Sequence, residues 1–375
     1  MRKLLYVISS LEGSGGAERA LTNRANYLVR NYNYDITIVI TSPSVSLKSF
    51  YEIDSHIKLK HIPIDFSKRT FIDKLAVFFP NKNKNEKALL DFINTENFEI
   101  CTSFGSESFL YSEKNYKSFI KIKENRFTYK KMITDENLPW LKKMWRRKRF
   151  FDNVNTQRKM DVVITLTEED ADFWRKYFKN IVIIPNFIDS KKIVTSELRN
   201  KDIIAVGRLE KEKDFFSMIT AFVAVKNTHP DWKLKIYGDG SLKNDLQAHI
   251  KKLDLENNVF ICEPVKDIFS KYLESSIYLH TAFYEGFPNS LLEAMTHGLP
   301  SVVFESVGGV KVLAANNINS FVIKNRKVDD ISKHILTLIE NETLRRKMGA
   351  ESRKTAESYS VENIMEKWHN FYQNL

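Results

Sequence analysis

Short apolar runs alternate with longer amphipathic stretches along this chain, and that alternation constrains its fold more than any other feature. Parallel strands covered by helices on both faces produce such a pattern, because both faces of each strand are buried. The runs predict strands over residues 3–8, 35–41, 99–103, 119–123 and 162–166, and then over 203–206, 233–237, 258–261, 277–280 and 301–304. We therefore predict an α/β protein built on parallel sheets.

The strands fall into two series, which predicts two doubly wound, Rossmann-like domains, since a single sheet of about ten strands is unusually wide. The join is predicted near "IPNFIDSKKIVTSELRNKD", residues 184–202, because Pro185 and Asn186 end a strand and a polar stretch follows. The predicted domains are residues 1–184 and 185–355. Residues 356–375 form a C-terminal helix in which Ile364, Trp368 and Phe371 have near-helical spacing.

Composition limits the functional classes. The chain has 375 residues, 43% of them hydrophobic, which is enough for two cores. The apolar run at residues 4–8 is too short for a signal-peptide core or a membrane span, and Cys101 and Cys262 offer no metal-ligand spacing, so we expect a reducing, cytoplasmic setting. The net charge of +11 indicates an acidic partner, which leaves nucleic acid, anionic lipid or a phosphorylated substrate open.

The segment "YEGFPNSLLEAM", residues 284–295, combines a turn with two carboxylates. Gly286 and Pro288 break regular structure, and Asn289 is predicted to cap a helix, which places Glu285 just outside the helix and Glu293 one turn inside it. The first N–H groups of a helix bind phosphate, whereas ionised carboxylates accept hydrogen bonds from hydroxyls. The pattern is typical of a sugar-phosphate site, unless Glu285 is a surface loop residue and Glu293 ordinary helix surface.

Three further turns follow predicted strands, at the edge where open α/β sheets bind ligands. "LEGSGGAER" is a Gly-rich helix start, although a G-x-G-x-x-G pattern from Gly13 fails at Glu18. Arg208 and Lys213 follow the strand at 203–206, and Gly-Asp-Gly at 238–240 follows another. Each alone is also explained by a tight turn or by solvated surface charge, so their coincidence carries the argument.

These motifs together resemble one family over nearly the whole chain. They are Gly15-Gly16-Ala17-Glu18-Arg19, Ile184-Pro185-Asn186, Gly207-Arg208-Leu209 with Lys213, Gly238-Asp239-Gly240, and Glu285 to Asn289 through Glu293-Ala294-Met295. In this order they resemble the signatures of retaining glycosyltransferases of family 4, of the GT-B type. The resemblance implies two facing Rossmann-like domains, an acceptor-side N-terminal one and a nucleotide-sugar-binding C-terminal one, with the last helix crossing back to the first.

The resemblance also implies residue roles. Arg208 and Lys213 would hold the donor's diphosphate, Glu285 hydroxyls of the transferred sugar, and Glu293 those of the ribose. The remaining donor contacts implied are those of Gly16 with the diphosphate, Val265 near the base, and Phe287, Asn289, Ser290 and Leu291 with sugar and phosphate. Many family members place a histidine near the reacting carbon, but this chain has none between His61 and His229. The acceptor-side candidates are therefore Ser103, Glu107 and Arg126, and His280 and His297 receive no role.

We accordingly predict a retaining hexosyltransferase that uses a nucleotide-sugar, with UDP-sugar as the first choice, and a glycan or lipid-linked glycan acceptor. The alternatives are a non-hydrolysing nucleotide-sugar epimerase and a basic nucleic-acid-binding protein; the transferase reading needs no nucleic acid. We expect no cofactor and no metal. Asp170-Ala171-Asp172 looks like a metal-binding Asp-x-Asp motif, but Thr167 and Asp170 have capping-box spacing at a helix start.

The stretch "WLKKMWRRKRFF", residues 140–151, bears on location. It places Trp140, Met144 and Phe151 near one helical face among six basic residues. One hypothesis is that this face lies on an anionic membrane, which would make the protein peripheral on the inner face of the membrane. The other is a domain helix whose apolar side is core and whose charges are solvated.

Overall fold

A computed structural model describes residues 2–13, 15–44, 47–64, 84–105, 119–129, 140–188 and 194–375. The chain divides into two compact units, one of residues 1–184 with 365–375 and the other of residues 185–364. Among the described residues, no helix combines the length and apolar character needed to cross a membrane.

The first unit contains a parallel seven-stranded sheet in the order β3-β2-β1-β4-β5-β6-β7. Its central strands, over residues 3–8, 35–40 and 100–103, are almost continuously buried, as expected where helices cover both faces. In register, Leu4 pairs with Ile36 on one side and with Ile100 on the other. The strands are β1 (Lys3–Ile8), β2 (Asp35–Ile40), β3 (Lys58–His61), β4 (Ile100–Ser103), β5 (Ile120–Glu124), β6 (Val162–Thr165) and β7 (Ile181–Ile183).

Four described helices belong to the first part of this unit: α1 (Gly16–Tyr32), α2 (Lys84–Glu96), α3 (Trp140–Gln157) and α4 (Glu168–Trp174). Helix α1 buries Leu21, Ala25 and Leu28, which lie on one face at helical spacing. At the start of α4, the Thr167 hydroxyl accepts a hydrogen bond from the Asp170 N–H at 3.2 Å, so the predicted cap is confirmed.

The second unit contains a parallel six-stranded sheet in the order β10-β9-β8-β11-β13-β15, and a two-stranded pair β12-β14. The strands are β8 (Asp202–Val206), β9 (Lys233–Tyr237), β10 (Val259–Cys262), β11 (Ile277–His280), β12 (Tyr284–Glu285), β13 (Ser301–Phe304), β14 (Val307–Gly308) and β15 (Ser320–Ile323). The helices are α5 (Phe215–Thr228), α6 (Lys243–Lys252), α7 (Ile268–Leu273), α8 (Asn289–Thr296), α9 (Gly309–Leu313), α10 (Val328–Glu340) and α11 (Glu342–Glu357). A 3₁₀ turn at Lys211–Lys213 precedes α5.

The last helix, α12 (Val361–Gln373), begins in the second unit, and from Met365 onward it belongs to the first. The Tyr372 hydroxyl lies 2.9 Å from that of Tyr6 on β1. The Arg24 guanidinium of α1 lies over the Trp368 ring at 3.9 Å, a cation–π contact inside the unit. Of the apolar residues in the predicted tail pattern, Ile364 and Trp368 are buried and Phe371 is half-buried.

Candidate active site

The strand order of the second sheet reverses between β8 and β11. From β8 the chain continues through β9 to β10 on one side, and from β11 through β13 to β15 on the other. Open α/β sheets bind ligands beyond the carboxyl ends of the strands at such a reversal. Arg208 and Lys213 follow β8, and Glu285 follows β11. All three side chains predicted to be catalytic therefore lie at the topological switch point of this unit.

Hydrogen bonds join the loop after β11 to the turn after β8. Thr281 Oγ1 lies 3.0 Å from the Lys213 carbonyl oxygen and 2.9 Å from that of Asp214. The Phe283 N–H donates to the Glu212 carbonyl at 2.9 Å. These bonds fix the two loops to each other, although about 70 residues separate them in sequence.

The Lys213 ammonium forms an ion pair with Glu285 Oε1, with only 17% and 15% of the two side chains exposed. Arg208 is 66% exposed, and its Nη2 donates to Glu212 Oε1 at 2.9 Å. Each cation thus has one carboxylate partner in this structure. Because the Lys213 pair is largely shielded from water, the attraction between its charges is less screened than that of the Arg208 pair at the surface.

A short parallel pair of strands sets the backbone of Glu285. Tyr284 and Glu285 of β12 pair with Val307 and Gly308 of β14. Gly308 has a φ of +97°, and a Cβ there would collide with the Glu285 carbonyl oxygen. The close approach therefore needs glycine at position 308.

His280, the last residue of β11, lies against the same ion pair. Its Nε2 is 3.7 Å from Glu285 Oε1, and only 5% of its side chain is exposed. Burial lowers the pKa of His280 to about 4, and Lys213 and Arg326 add to this shift against the opposing effect of Glu285. His280 was not among the residues predicted to have a role, although its position at the carboxyl end of a central strand is a signal that could have identified it.

Arg326 is a second residue that sequence reasoning missed. Its Nη2 lies 2.7 Å from Asp214 Oδ2 and 2.6 Å from the Thr281 carbonyl, and its Nη1 donates to the Ala282 carbonyl at 3.1 Å. Its guanidinium also lies 4.1 Å from the Phe283 ring. Arg326 thereby holds the loop that carries Glu285, and no local motif in the sequence indicates this contact.

The start of α8 differs from the prediction. Pro288 is the N-cap residue and Asn289 the first helical residue, so the prediction that Asn289 caps the helix is wrong. Asn289 Oδ1 instead accepts a hydrogen bond from Asn186 Nδ2 at 2.8 Å, which links the 184–186 motif to this helix. The N–H groups of Asn289 and Leu291 donate to the Phe287 and Pro288 carbonyls, both at 3.0 Å. An anion here would have to share those two donors with the turn.

Glu293 is buried, which contradicts the alternative that it is ordinary helix surface. The Tyr272 hydroxyl lies 3.0 Å from Glu293 Oε2. The neighbouring Tyr278 hydroxyl donates to Ser290 Oγ at 2.8 Å, and burial raises the pKa of Tyr278. His297 Nδ1 lies 2.7 Å from the Glu293 carbonyl oxygen, so His297 has a structural contact within the helix. A carboxylate at so enclosed a position is expensive unless it has partners.

The glycine turn at 238–240 packs backbone to backbone on the residues after β8. The Leu209 N–H donates to the Asp239 carbonyl at 2.9 Å. A Cβ on Gly240 would lie 2.6 Å from the Leu209 carbonyl oxygen, so the glycine there has a packing role. Of the remaining donor candidates in this unit, Val265 is exposed and Phe287 is buried against Tyr359, at 5.6 Å between ring centroids.

The candidates in the first unit are placed differently. Gly16 begins α1, after the extended N-cap Gly15. Ser103 is buried at the end of β4, and its hydroxyl donates to the Gly105 carbonyl at 3.3 Å. Arg126 forms an ion pair with Glu124 at 2.8 Å, and the same carboxylate accepts from Arg24 at 2.6 Å. Glu107 lies outside the described residues. The acceptor-side roles of Ser103, Glu107 and Arg126 stay predictions.

The second unit is similar to a known sequence family. Residues 186–355 match the family model described as Glycosyl transferases group 1. A relative from Haemophilus influenzae, named Uncharacterized glycosyltransferase, is 28% identical over 98% of this chain and 99% of its own length. The amylovoran biosynthesis glycosyltransferase AmsD of Erwinia amylovora is 24% identical over 98% and 99% of the two chains.

A third relative is named for its acceptor. It is the GalNAc-alpha-(1->4)-GalNAc-alpha-(1->3)-diNAcBac-PP-undecaprenol alpha-1,4-N-acetyl-D-galactosaminyltransferase of Campylobacter jejuni, 22% identical over 98% of this chain and 97% of the relative.

Solved structures share the fold. A mutant of S. aureus TarM in complex with Fondaparinux, alpha-GlcNAc-glycerol and UDP superposes with a TM-score of 0.78, at 19% identity and 99% coverage of both chains. Anabaena HepE in complex with UDP and glucose gives a TM-score of 0.78, at 15% identity over 100% of both chains. The fold predicted from the sequence is confirmed.

Proposed function

We propose, from the premise that this chain is a glycosyltransferase with the two-domain GT-B fold, that it transfers a hexose-type sugar from a UDP-sugar with retention of anomeric configuration. The acceptor we propose is a glycan or a lipid-linked glycan. The observation that carries the proposal is the Lys213–Glu285 pair at the switch point of the second sheet, beside the start of the helix that buries Glu293.

The site offers matching groups for both halves of such a donor. Lys213 and Arg208 are the cations next to the loops, and phosphate oxygens are their natural partners. Glu285 and Glu293 accept hydrogen bonds, so each suits a pair of sugar hydroxyls. We assign Glu285 to the transferred sugar and Glu293 to the ribose. The Tyr272 contact supports this assignment, because it holds one Glu293 oxygen in place.

The chemistry follows from charge. Breaking the anomeric bond leaves negative charge on the diphosphate and positive charge on the sugar ring. Lys213 and Arg208 lower the barrier by stabilising the departing diphosphate. We propose attack on the face that the nucleotide leaves, with a phosphate oxygen helping to take the acceptor proton. Glu285 and Glu293 do not act as a hydrolase pair, because that mechanism needs both carboxylates beside the anomeric carbon.

The donor and acceptor classes draw support from the relatives. TarM and HepE were solved with UDP, and the Campylobacter relative is named for an undecaprenol diphosphate-linked glycan. An acceptor of that class sits at a membrane. Trp140, Met144 and Phe151 of α3 are exposed, and they support a peripheral location on an anionic membrane surface.

We further propose that the reaction needs no metal. Lys213 and Arg208 already supply positive charge to the diphosphate. Asp170, the first acid of the Asp-x-Asp sequence, is buried, and its Oδ1 accepts from the Thr128 hydroxyl at 2.8 Å and the Tyr129 N–H at 2.9 Å. Its carboxylate thus accepts hydrogen bonds at the start of α4.

Two substitutions separate the proposed roles of the carboxylates. Glu285→Ala should reduce transfer by about 100-fold or more while UDP still binds, because UDP carries no transferred sugar. Glu293→Ala should weaken UDP binding itself by about 10-fold, since a hydrogen-bonded charged partner of the ribose is lost. Isothermal titration with UDP and a UDP-release assay with a panel of UDP-sugars measure the two effects.

Glu274→Ala is the matched control, because its side chain is half exposed and pairs only with Lys271 among the contacts of the described residues. It should leave both measurements unchanged. Equal UDP affinity in the Glu285 and Glu293 variants would contradict the assignment of Glu285 to the transferred sugar and Glu293 to the ribose.

A further inference from the structure

One ring nitrogen of His280 is buried without a hydrogen bond to any described residue. Among the described residues, His280 Nε2 has no hydrogen-bond partner, although it is buried. Buried polar atoms in native proteins are nearly always paired, and an unpaired one lowers stability. An exception beside an active site calls for a functional explanation.

The surroundings of His280 keep it neutral and select its tautomer. Its pKa of about 4 means that one ring nitrogen carries a hydrogen and the other does not near pH 7. Three charged groups face the ring: Glu285 of β12, Lys213 after β8, and Arg326 after β15. Since Glu285 Oε1 is 3.7 Å from Nε2, the carboxylate favours the tautomer with hydrogen on Nε2. The ring is then a donor that points to an acceptor just beyond hydrogen-bond range.

The oxygen that His280 faces is the one that Lys213 holds. Both contacts are to Glu285 Oε1. If Lys213 binds the diphosphate of the donor, as proposed above, it must leave or share this oxygen. Glu285 would then keep its charge at a position 15% exposed without its cation, which is unfavourable.

We propose that His280 is a positioning residue that takes over Glu285 Oε1 from Lys213 when the donor's diphosphate draws the lysine away. A closing of less than about 1 Å brings Nε2 to hydrogen-bond distance. The bond orients the Glu285 carboxylate, which leaves its second oxygen for a sugar hydroxyl. The same exchange lets one lysine stabilise the carboxylate before donor binding and the diphosphate afterwards. This inference rests on the proposed donor site.

A double-mutant cycle on UDP binding tests the exchange. His280→Leu removes the donor, and His280→Met does so with a different shape, while His280→Gln keeps an N–H near the position of Nε2. In the native background, the Leu and Met variants should bind UDP about 10-fold more weakly, and the Gln variant within about twofold of wild type. In a Glu285→Gln background, His280→Leu should change UDP affinity by less than about twofold, because no buried carboxylate is left to compensate.

Thermal unfolding without UDP supplies the structural readout. His280→Leu should be at least as stable as wild type, since it removes an unpaired buried polar atom. His334→Leu is the matched control, because His334 of α10 stacks on Phe321 of β15 with 4.3 Å between the ring centroids. It should bind UDP like wild type.

Equal losses of UDP affinity in the native and Glu285→Gln backgrounds would overturn the inference, as would a His280→Gln variant as weak as His280→Leu. Wild-type affinity in both the Leu and Met variants would overturn it too. These outcomes differ from failure of the proposed function, in which the wild-type protein itself binds no UDP.

Discussion

The buried imidazole of His280 ties the stability of the second unit to pH. Its pKa is about 4 in the folded protein, against 6.5 for an unperturbed histidine. The unfolded chain therefore takes up a proton at higher pH than the folded chain does. Because the pKa of His280 is lowered in the folded protein, its contribution to the free energy of unfolding is fully present above pH 6.5. That contribution is lost as the pH falls from 6.5 towards 4.

When the pH is lowered from about 7 to about 5, the free energy of unfolding of wild type should fall by about 2 kcal/mol more than that of His280→Leu. Urea unfolding of both proteins at the two pH values measures this difference, provided that the denaturant dependence is the same in both. An identical acid-induced loss in the two proteins would show that His280 does not titrate as its surroundings require.

At the scale of single elements, helix α3 has two different apolar faces. Phe150 and Val154 are buried and pack with Trp174 of α4 in one core cluster. Trp140, Met144 and Phe151 are 68%, 57% and 55% exposed. The second hypothesis of the sequence analysis, that the apolar side of 140–151 is core, therefore fails for these three residues, since the core face is a different one.

The exposed face also carries charge. Arg147 and Lys148 are exposed on the same helix. Aromatic and aliphatic side chains next to cations match an anionic bilayer surface, where the apolar groups enter the interface and the cations meet lipid phosphates. This combination fits an acceptor that is held in a membrane.

We predict that the protein floats with anionic liposomes and much less with neutral ones. A triple Ser substitution at Trp140, Met144 and Phe151 should reduce flotation by about 10-fold or more, because these exposed apolar side chains together contribute on the order of several kcal/mol when they enter the bilayer interface. Arg147→Glu with Lys148→Glu should reduce it too, and high salt should mimic that effect. Equal binding of wild type and the Ser variant to both liposome types would contradict the membrane role.

The strands show what local sequence can and cannot predict. All ten strands predicted from apolar runs are present, because parallel strands buried on both faces read as continuous apolar segments. The edge strands β3 and β15 were missed, and in β3 the residues Lys58–His61 alternate between exposed and half-buried, which gives no continuous apolar run. The pair β12 and β14 was missed because two residues in each strand leave no periodicity to detect.

At the scale of the whole molecule, the site depended on contacts that spacing does not encode. The sequence placed Lys213 and Glu285 at strand ends, but their ion pair joins positions 72 residues apart. Arg326 reaches the Thr281 carbonyl from 45 residues away, and His280 became informative only through its distance to Glu285. Motifs could therefore predict which loops form the site, whereas the pairing of charges within it follows from the order of the strands.

Both sheets have the doubly wound strand order, with a reversal between β1 and β4 in one unit and between β8 and β11 in the other. The Gly-rich start of α1 follows β1, and the donor motifs follow β8 and β11. The chain thus repeats one arrangement, a switch point in a parallel sheet, with different side chains beyond the strand ends in each unit. The cations and carboxylates of the proposed donor site belong to the second unit.

The most direct test of this account is turnover of UDP-sugars by the full chain in the presence of EDTA, with product configuration read by NMR. We predict metal-independent release of UDP, slow with water and faster with a lipid-linked glycan, and retained anomeric configuration. Arg208→Ala and Lys213→Ala should each lower turnover by about 100-fold, because each removes a cation from the developing charge of the diphosphate. Turnover that is abolished by EDTA and restored by Mn²⁺, an isomerised donor, or an inverted product would contradict the account.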